Sequence, residues 1–335
     1  MNERSNLVSE AFRPRQNALT QSDVPATHPL VWVPLHDISV VDVHGADAKA
    51  FLQSKLTTNM DLLTTRGSAY GYATDINGRV LFDVHIAPHN ETSFRLWSEP
   101  KSAQTIVDAL DKYIIMEDVT LTVVDMPAAW MLVGTDDTTL RQCLSLPPSK
   151  AEASGYEQTP HGGVLQLARS VRPAYLVEGD AAALRETTRE QNARNVTWND
   201  WRAYEIAQGF VRTGLDLIPE QTIPLEAGED LGVDYNKGCY LGQEVIERLR
   251  SRGTPNREYR RVELPDITDV SSVQAPADLV DANGRNAGTL TSFASYDGRS
   301  VGIAVIRRRQ LQDEGAVVHL EAEDGPVVKR VGPVC

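Results

Sequence analysis

Hydrophobic and polar positions in the first 135 residues follow two periods, one typical of short β-strands and one of amphipathic helices. Runs rich in β-branched residues predict strands over 31–44 (one or two), 69–75, 79–87, 92–98, 118–125 and 129–134. Helical spacing predicts helices over 46–56 and near 101–113, the first with Ala50, Phe51 and Leu52 on its buried side. Hairpins mixed with helices indicate an α+β fold, unlike a regular βαβ series.

The middle of the chain continues this mixture and then becomes irregular. Strands are predicted near 164–169 and 173–178, helices near 180–192 and 198–208, and a loop over 146–162. Glycine and proline recur without a clear period from 209 to 236. Such a long irregular segment inside a folded body is usually functional or wraps a neighbour. A helix is predicted over 243–251, ended by Gly253 and Pro255.

After residue 255 the pattern changes to short strands separated by turn dipeptides such as Asn283-Gly284. Strands are predicted over 259–264, 278–282, 286–293, 300–306, 316–322 and 326–331. This spacing predicts a small antiparallel β-barrel or sandwich. The chain therefore divides into a flexible N-terminal arm over 1–30, a body over 31–255 and a C-terminal β-barrel domain over 256–335.

Composition narrows the function classes. The 33 basic and 46 acidic residues give a net charge of −13, which argues against broad, non-specific binding of nucleic acid or anionic membrane. Three scattered cysteines are too few for a disulfide framework or a zinc ribbon, so we expect a reducing compartment, the cytoplasm. No apolar run has transmembrane length, and no Gly-rich phosphate loop follows a strand.

The stretch KGCYLGQE, residues 237–244 and hereafter the octapeptide, concentrates the chemistry of the chain. It places Cys239 between two glycines, two residues from Lys237 and just before a predicted helix. A nearby cation and a helix N-terminus lower the pKa of a thiol, and an open loop leaves the sulfur accessible. The alternative is a small buried hydrophobe, which is the usual role of a lone cysteine. Cys143 and Cys335 are predicted to be structural or incidental.

Six arginines follow the octapeptide, at positions 248, 250, 252, 257, 260 and 261. On a helix Arg248 and Arg252 share one face, because they are four residues apart. One interpretation is a solvated helix face, with Glu247 and Glu258 as ion-pair partners. The other is an anion site for a carboxylate tail or a phosphate, which arginine binds with two parallel hydrogen bonds.

Asn77-Gly78 between two predicted strands is a strong signal for a type I′ hairpin. The outgoing strand, VLFDVHI, is interrupted by Asp83. An acid at that position is either exposed on a sheet edge or directed into a cavity. Asp42, in the run VVDVH, raises the same question.

The octapeptide resembles the K-G-C-[FY]-x-G-Q-E motif of YgfZ-type folate-binding proteins, which are relatives of the T-protein, the aminomethyltransferase of the glycine cleavage system. The similarity extends over most of residues 31–331. The matching stretches are 43–48, 51–53, 56–57, 77–79, 201–209, 288–292 and 302–306.

This resemblance implies a ring of three small domains around a channel for tetrahydrofolate, two of them intertwined α+β subdomains within 31–255 and the third the C-terminal β-barrel. It implies support of iron–sulfur cluster assembly or repair, and thereby of tRNA modification, through iron–sulfur client or assembly proteins. We expect a monomer with no membrane contact, no bound nucleic acid and no metal of its own. The implied site comprises Cys239 as functional thiol, Lys237 holding it as thiolate, and the folate contacts Asp83, Tyr240, Gln243, Glu244, Arg248 and Arg252.

Two acids that the T-protein directs at folate are not matched. Only Asp83 remains of the hairpin pair, and Glu205 lies two positions from the other acid, on a different predicted face of its helix. This leaves two rival functions. One is a folate-dependent aminomethyl or one-carbon transferase, and the other is an RNA-contacting adapter that uses the arginines, including those at 307–309.

Overall fold

The structure is a computed structural model that describes residues 24–335, apart from 37, 99–101, 127, 149–154, 161, 180, 229–231, 270–271 and 314–315. Most of the arm predicted over 1–30 lies outside the described residues; residues 24–27 form a short helix and Leu30 begins the first strand. Within the described residues, no helix is both long and apolar enough to cross a membrane.

The helices and strands are numbered separately in chain order. The helices are α1 Val24–Thr27, α2 Ala48–Lys55, α3 Leu63–Arg66, α4 Ala103–Asp111, α5 Asp137–Cys143, α6 Ala182–Arg189, α7 Trp198–Gln208, α8 Gln243–Arg252 and α9 Arg308–Gln312. The strands are β1 Leu30–Leu35, β2 Ser39–His44, β3 Ala69–Thr74, β4 Val80–Asn90, β5 Ser93–Ser98, β6 Thr120–Val124, β7 Ala129–Gly134, β8 Tyr156–Thr159, β9 Gly162–Gln166, β10 Ala174–Glu178, β11 Arg194–Asn195, β12 Arg257–Glu263, β13 Ala277–Asp281, β14 Asn286–Tyr296, β15 Arg299–Arg307, β16 Val318–Leu320 and β17 Lys329–Pro333.

The strands form three sheets, which confirms the α+β prediction. The first has the order β11-β1-β7-β10-β9-β8, the second β3-β4-β5-β2-β6, and the third β16-β13-β14-β15-β12-β17. All pairings between these strands are antiparallel except β1 with β11. The third sheet curls, because a bridge from His319 to Val327 connects β16 to the residues before β17. The domain boundary predicted near 255 falls between α8 and β12.

Helix α7 lies at the junction of the sheets. Trp201 and Tyr204 pack with the core of the first sheet, whereas Ala203 and Ile206 pack with Tyr72 of the second sheet and with the face of the third sheet that is opposite that sheet's own core. Because buried residues occur on all of its faces, α7 lacks a polar stripe. This helix therefore joins the body to the C-terminal strands.

Three local predictions are wrong in detail. The loop predicted over 146–162 contains β8, which pairs with β9. Ala50 is exposed, and Ala48, Phe51 and Leu52 form the buried side of α2. The hairpin at Asn77-Gly78 exists, but only Gly78 has a positive φ, whereas a type I′ turn needs two.

The turn differs because the Asp75 carboxylate accepts hydrogen bonds from the backbone N–H groups of Asn77 and Arg79, each at 2.8 Å. The Gly78 N–H donates to the carbonyl of Asp75, which closes the turn one residue earlier than predicted. Gly78 then takes the left-handed conformation at φ +72°.

Candidate functional site

A narrow cavity lies where the β3–β4 hairpin faces the first sheet and the residues that follow α7. We call it the Asp83 cavity. Its wall includes side chains from both sheets, from the β9–β10 loop and from α7 and the segment after it: Tyr70, Asp83, His85, Arg169, Glu205 and Phe210. It is therefore built from parts that are distant in sequence.

The alternation of β4 directs Asp83 into this cavity. Val80, Phe82 and Val84 are buried in the core, so the intervening residues Asp83 and His85 face the opposite side of the strand. The Tyr70 hydroxyl donates a 2.6 Å hydrogen bond to Asp83 Oδ2. Asp83 Oδ1 is buried and has no hydrogen-bond partner among the described residues. The Thr213 hydroxyl lines the same cavity and opposes the effect of burial on the pKa of Asp83, so Oδ1 faces this hydroxyl and the space that a ligand would enter.

Burial controls the protonation of the groups in this wall. It raises the pKa of Asp83, an effect that the Tyr70 hydrogen bond and the charge of Arg169 oppose. It lowers the pKa of His85 to about 3, reinforced by the positive charges of Arg169 and Arg212. His85 is therefore neutral at physiological pH, and its Nδ1 has no partner within the described structure.

Glu205 reaches the same cavity, contrary to the prediction that it faces elsewhere. Its carboxylate accepts from Trp201 Nε1 at 2.6 Å, from Arg202 Nη1 at 3.3 Å and from both Nε and Nη2 of Arg212 at 2.7 Å. Both oxygens are thus already occupied by donors. The two arginines hold the pKa of Glu205 below its usual value despite burial, which opposes them. Glu205 is a charged part of the wall with little capacity left for a ligand.

The octapeptide packs against the tip of the β3–β4 hairpin, so the structure brings two sequence motifs together. The Thr74 hydroxyl donates to the carbonyl of Leu241. Gly242 has φ +84°, and a Cβ at this position would lie 2.4 Å from the carbonyl oxygen of Asp75 and 2.9 Å from Gly78 Cα. Glycine is therefore required here both by conformation and by close approach.

Lys237 is buried, and its ammonium group caps the end of α2. Its Nζ donates to the carbonyls of Gln53 at 2.7 Å, Leu56 at 2.6 Å and Thr58 at 2.6 Å. All three ammonium protons are therefore used. Burial lowers the pKa of Lys237 to about 8, although the charges of Asp234 and Asp61 raise it. Any effect of Lys237 on Cys239 would act through the electric field of its positive charge, because no ammonium proton is left for a hydrogen bond to the sulfur.

Cys239 is an exposed free thiol. The backbone beside it is open, because a Cβ at Gly238 would have no atom within 4 Å. Tyr240 is buried in a small apolar cluster with Ile246 and Leu225. The structure thus presents the sulfur at the surface and anchors the neighbouring residues.

The remaining predicted folate contacts lie outside the wall of the Asp83 cavity. Gln243 accepts a hydrogen bond from the Tyr240 N–H at 3.3 Å, which holds the start of α8. Glu244, Arg248 and Arg252 are exposed, and neither arginine forms an ion pair with a described residue.

The predicted single site is therefore divided into two regions linked by one hairpin. The octapeptide lies at the hairpin tip, and Asp83 lies three residues along β4 from Val80, about 10 Å at the usual strand rise. Sequence reasoning missed His85, Arg169 and Phe210. The alternation of VLFDVHI could have indicated His85, whereas no local signal marks the other two.

The chain matches none of the protein-family models with which it was compared. It is 25% identical over 283 residues to the tRNA-modifying protein YgfZ of Vibrio atlanticus, covering 83% of this chain and 84% of that protein. It is 26% identical over 310 residues to the human mitochondrial iron–sulfur cluster assembly factor IBA57, covering 87% and 80%.

Among solved structures, the glycine cleavage system aminomethyltransferase T of Bartonella henselae superposes with a TM-score of 0.74 at 18% identity. The match covers 90% of this chain and 85% of that one. The chain is therefore a homologue of the YgfZ and IBA57 proteins and has the fold of the T-protein, as the sequence predicts.

Proposed function

We propose that this chain binds a reduced folate, tetrahydrofolate, in the Asp83 cavity and supports iron–sulfur cluster assembly, and through it tRNA modification, with Cys239 as its functional thiol. The iron–sulfur part is supported by the relatives, of which one is named an iron–sulfur cluster assembly factor and another a tRNA-modifying protein. Its partners would be iron–sulfur assembly or client proteins in the cytoplasm.

The observation that carries the folate part is the unpartnered Oδ1 of Asp83. The amino-pyrimidine edge of a pterin presents adjacent N–H donors, which a carboxylate can accept. Among the acids of the cavity wall, Glu205 has its oxygens occupied by Trp201 and two arginines. The residues therefore fit a pterin through Asp83, and Tyr70 and Phe210 supply flat aromatic walls.

Cys239 is supported as the functional thiol by its exposure. It lies at the surface of a segment that Gly242 and Lys237 hold in place, so a partner protein could reach the sulfur without displacing the core. This arrangement suits exchange with another protein better than chemistry inside a closed cavity.

Calorimetric titration with tetrahydrofolate under reducing conditions tests the folate part. We expect saturable binding to the unmodified chain and at least tenfold weaker binding to Asp83→Asn, because one charge-assisted hydrogen bond contributes about 1.5–3 kcal/mol. Asp111→Asn is the charge-matched control, since Asp111 is exposed on α4. Absence of binding by the folded, unmodified chain would refute the folate assignment.

Complementation tests the thiol. In a strain that lacks its own homologue, we expect Cys239→Ser to fail to restore the activity of iron–sulfur enzymes. Cys143→Ser is the control, because Cys143 is buried and its Sγ donates to Gln191 Oε1 at 2.7 Å. Full rescue by Cys239→Ser would remove the thiol from the mechanism.

A further inference from the structure

Arg169 contacts two aromatic rings of the Asp83 cavity. Its guanidinium carbon lies 4.1 Å from the ring centroid of Phe210 and 5.1 Å from that of Tyr70. Its Nη2 donates a 3.2 Å hydrogen bond to the backbone carbonyl of Cys335. Its Nε is buried and has no partner in the described part of the chain.

The cavity is too small to hold a heterocyclic ring while the Arg169 side chain occupies it. Its free volume is about 40 Å³, whereas small-molecule sites usually enclose about 300–1,000 Å³. A guanidinium is flat and stacks on aromatic faces as a flat heterocycle does. Arg169 thus occupies the slot that a planar ring would need in order to reach Asp83.

We propose that Arg169 is the gate of the Asp83 cavity: its guanidinium occupies the slot between Tyr70 and Phe210 in the closed state and leaves it when a planar heterocyclic ring enters. This inference rests on the proposed folate binding and deepens it. The hydrogen bond to the Cys335 carbonyl holds the gate closed. Because this hydrogen bond is exposed, water can replace the guanidinium at the carbonyl when the side chain moves.

Stopped-flow binding of 5-formyltetrahydrofolate, a stable reduced folate, tests the gate. Trp97 lines the cavity and provides the fluorescence signal. For the unmodified chain, we expect the observed rate to level off with ligand concentration at the rate of gate opening. For Arg169→Ala it should rise linearly and exceed the unmodified rate about tenfold or more, because minor open states are populated at about 10% or less.

Two further variants separate gating from loss of charge or of stability. Arg169→Lys keeps the positive charge without a flat group, so it should also bind faster than the unmodified chain. Arg185→Ala removes a guanidinium stacked 3.9 Å from the Trp130 ring, outside the cavity, and should bind at the unmodified rate.

The outcomes are distinguishable. Equal, linear kinetics in the unmodified chain and both Arg169 variants would overturn the gate and leave folate binding intact. Binding only after Arg169→Ala or Arg169→Lys would mean that Arg169 blocks the cavity permanently in the unmodified chain, which would refute both the gate and the folate proposal. Absence of binding in every folded variant would refute both the gate and the folate proposal.

Discussion

Gly242→Ala is the sharpest test of how the octapeptide is held. An added Cβ would lie 2.4 Å from the carbonyl oxygen of Asp75 and 2.8 Å from Thr74 Oγ1. Neither group can move easily, because Thr74 is buried in β3 and Asp75 belongs to the hairpin turn. The substitution would therefore push the octapeptide away from the hairpin or distort the turn.

The expected cost has two parts. The left-handed conformation of Gly242, at φ +84°, costs a residue with a Cβ about 1–2 kcal/mol. Overpacking adds about 1–3 kcal/mol. We therefore expect Gly242→Ala to lower the free energy of unfolding by about 2–5 kcal/mol.

Gly238→Ala, in the same octapeptide, is the matched control. Gly238 has no positive φ, and a Cβ there meets nothing within 4 Å, so the change should cost less than about 0.5 kcal/mol. Urea unfolding of the two variants, with the midpoint and the slope compared, measures the difference. Equal stability of the two variants would refute the reasoning about this contact.

Three further predictions concern buried charged and polar groups. Because the pKa of His85 falls from about 6.5 to about 3 on folding, the unfolded chain binds more protons in that range, and stability is lost as the pH falls. His85→Gln should reduce the loss of unfolding free energy between pH 7 and pH 5 by about 2 kcal/mol, as measured by urea unfolding. An unchanged loss would contradict this. Because burial raises the pKa of Asp83, the ionised carboxylate destabilises the folded state. Without folate, Asp83→Asn should therefore unfold at an equal or higher urea concentration than the unmodified chain. A loss of unfolding free energy above about 1 kcal/mol would argue against this. Lys237→Met should lower the free energy of unfolding by about 3–5 kcal/mol, because it leaves three carbonyls unpaired. Its control, Lys49→Met, removes an exposed ion pair and should cost less than about 1 kcal/mol. Similar losses for the two variants in thermal unfolding would contradict this.

Most of the elements are visible in the sequence because their hydrophobic periods are clear. Helix α7 is predicted with its observed ends, since Thr197 caps its start and Gly209 ends it in a left-handed conformation. The helix predicted over 243–251 is observed as α8 and begins, as expected, just after the octapeptide. Strand β8 was missed because its pairing with β9, rather than its own composition, makes it a strand.

The site was harder to predict, because side chains that meet in space are far apart in the chain. Asp83 was identified as an acid in an apolar strand, and the structure directs it into a cavity. Arg169 lies in a loop and Phe210 follows α7, and nothing local to either residue indicates that they stack. Spacing on α7 placed Glu205 on the wrong side, because that helix is buried on all faces.

Folate binding in the Asp83 cavity is tested most directly by a crystal structure of the chain soaked with 5-formyltetrahydrofolate. We expect the pterin ring between Tyr70 and Phe210, its amino-pyrimidine edge on Asp83 Oδ1, and Arg169 displaced from the slot. Cys239 should remain at the surface beside the hairpin tip, without a contact to the ring. Ligand bound instead along Arg248 and α8, with the Asp83 cavity unchanged, would refute folate binding in this cavity.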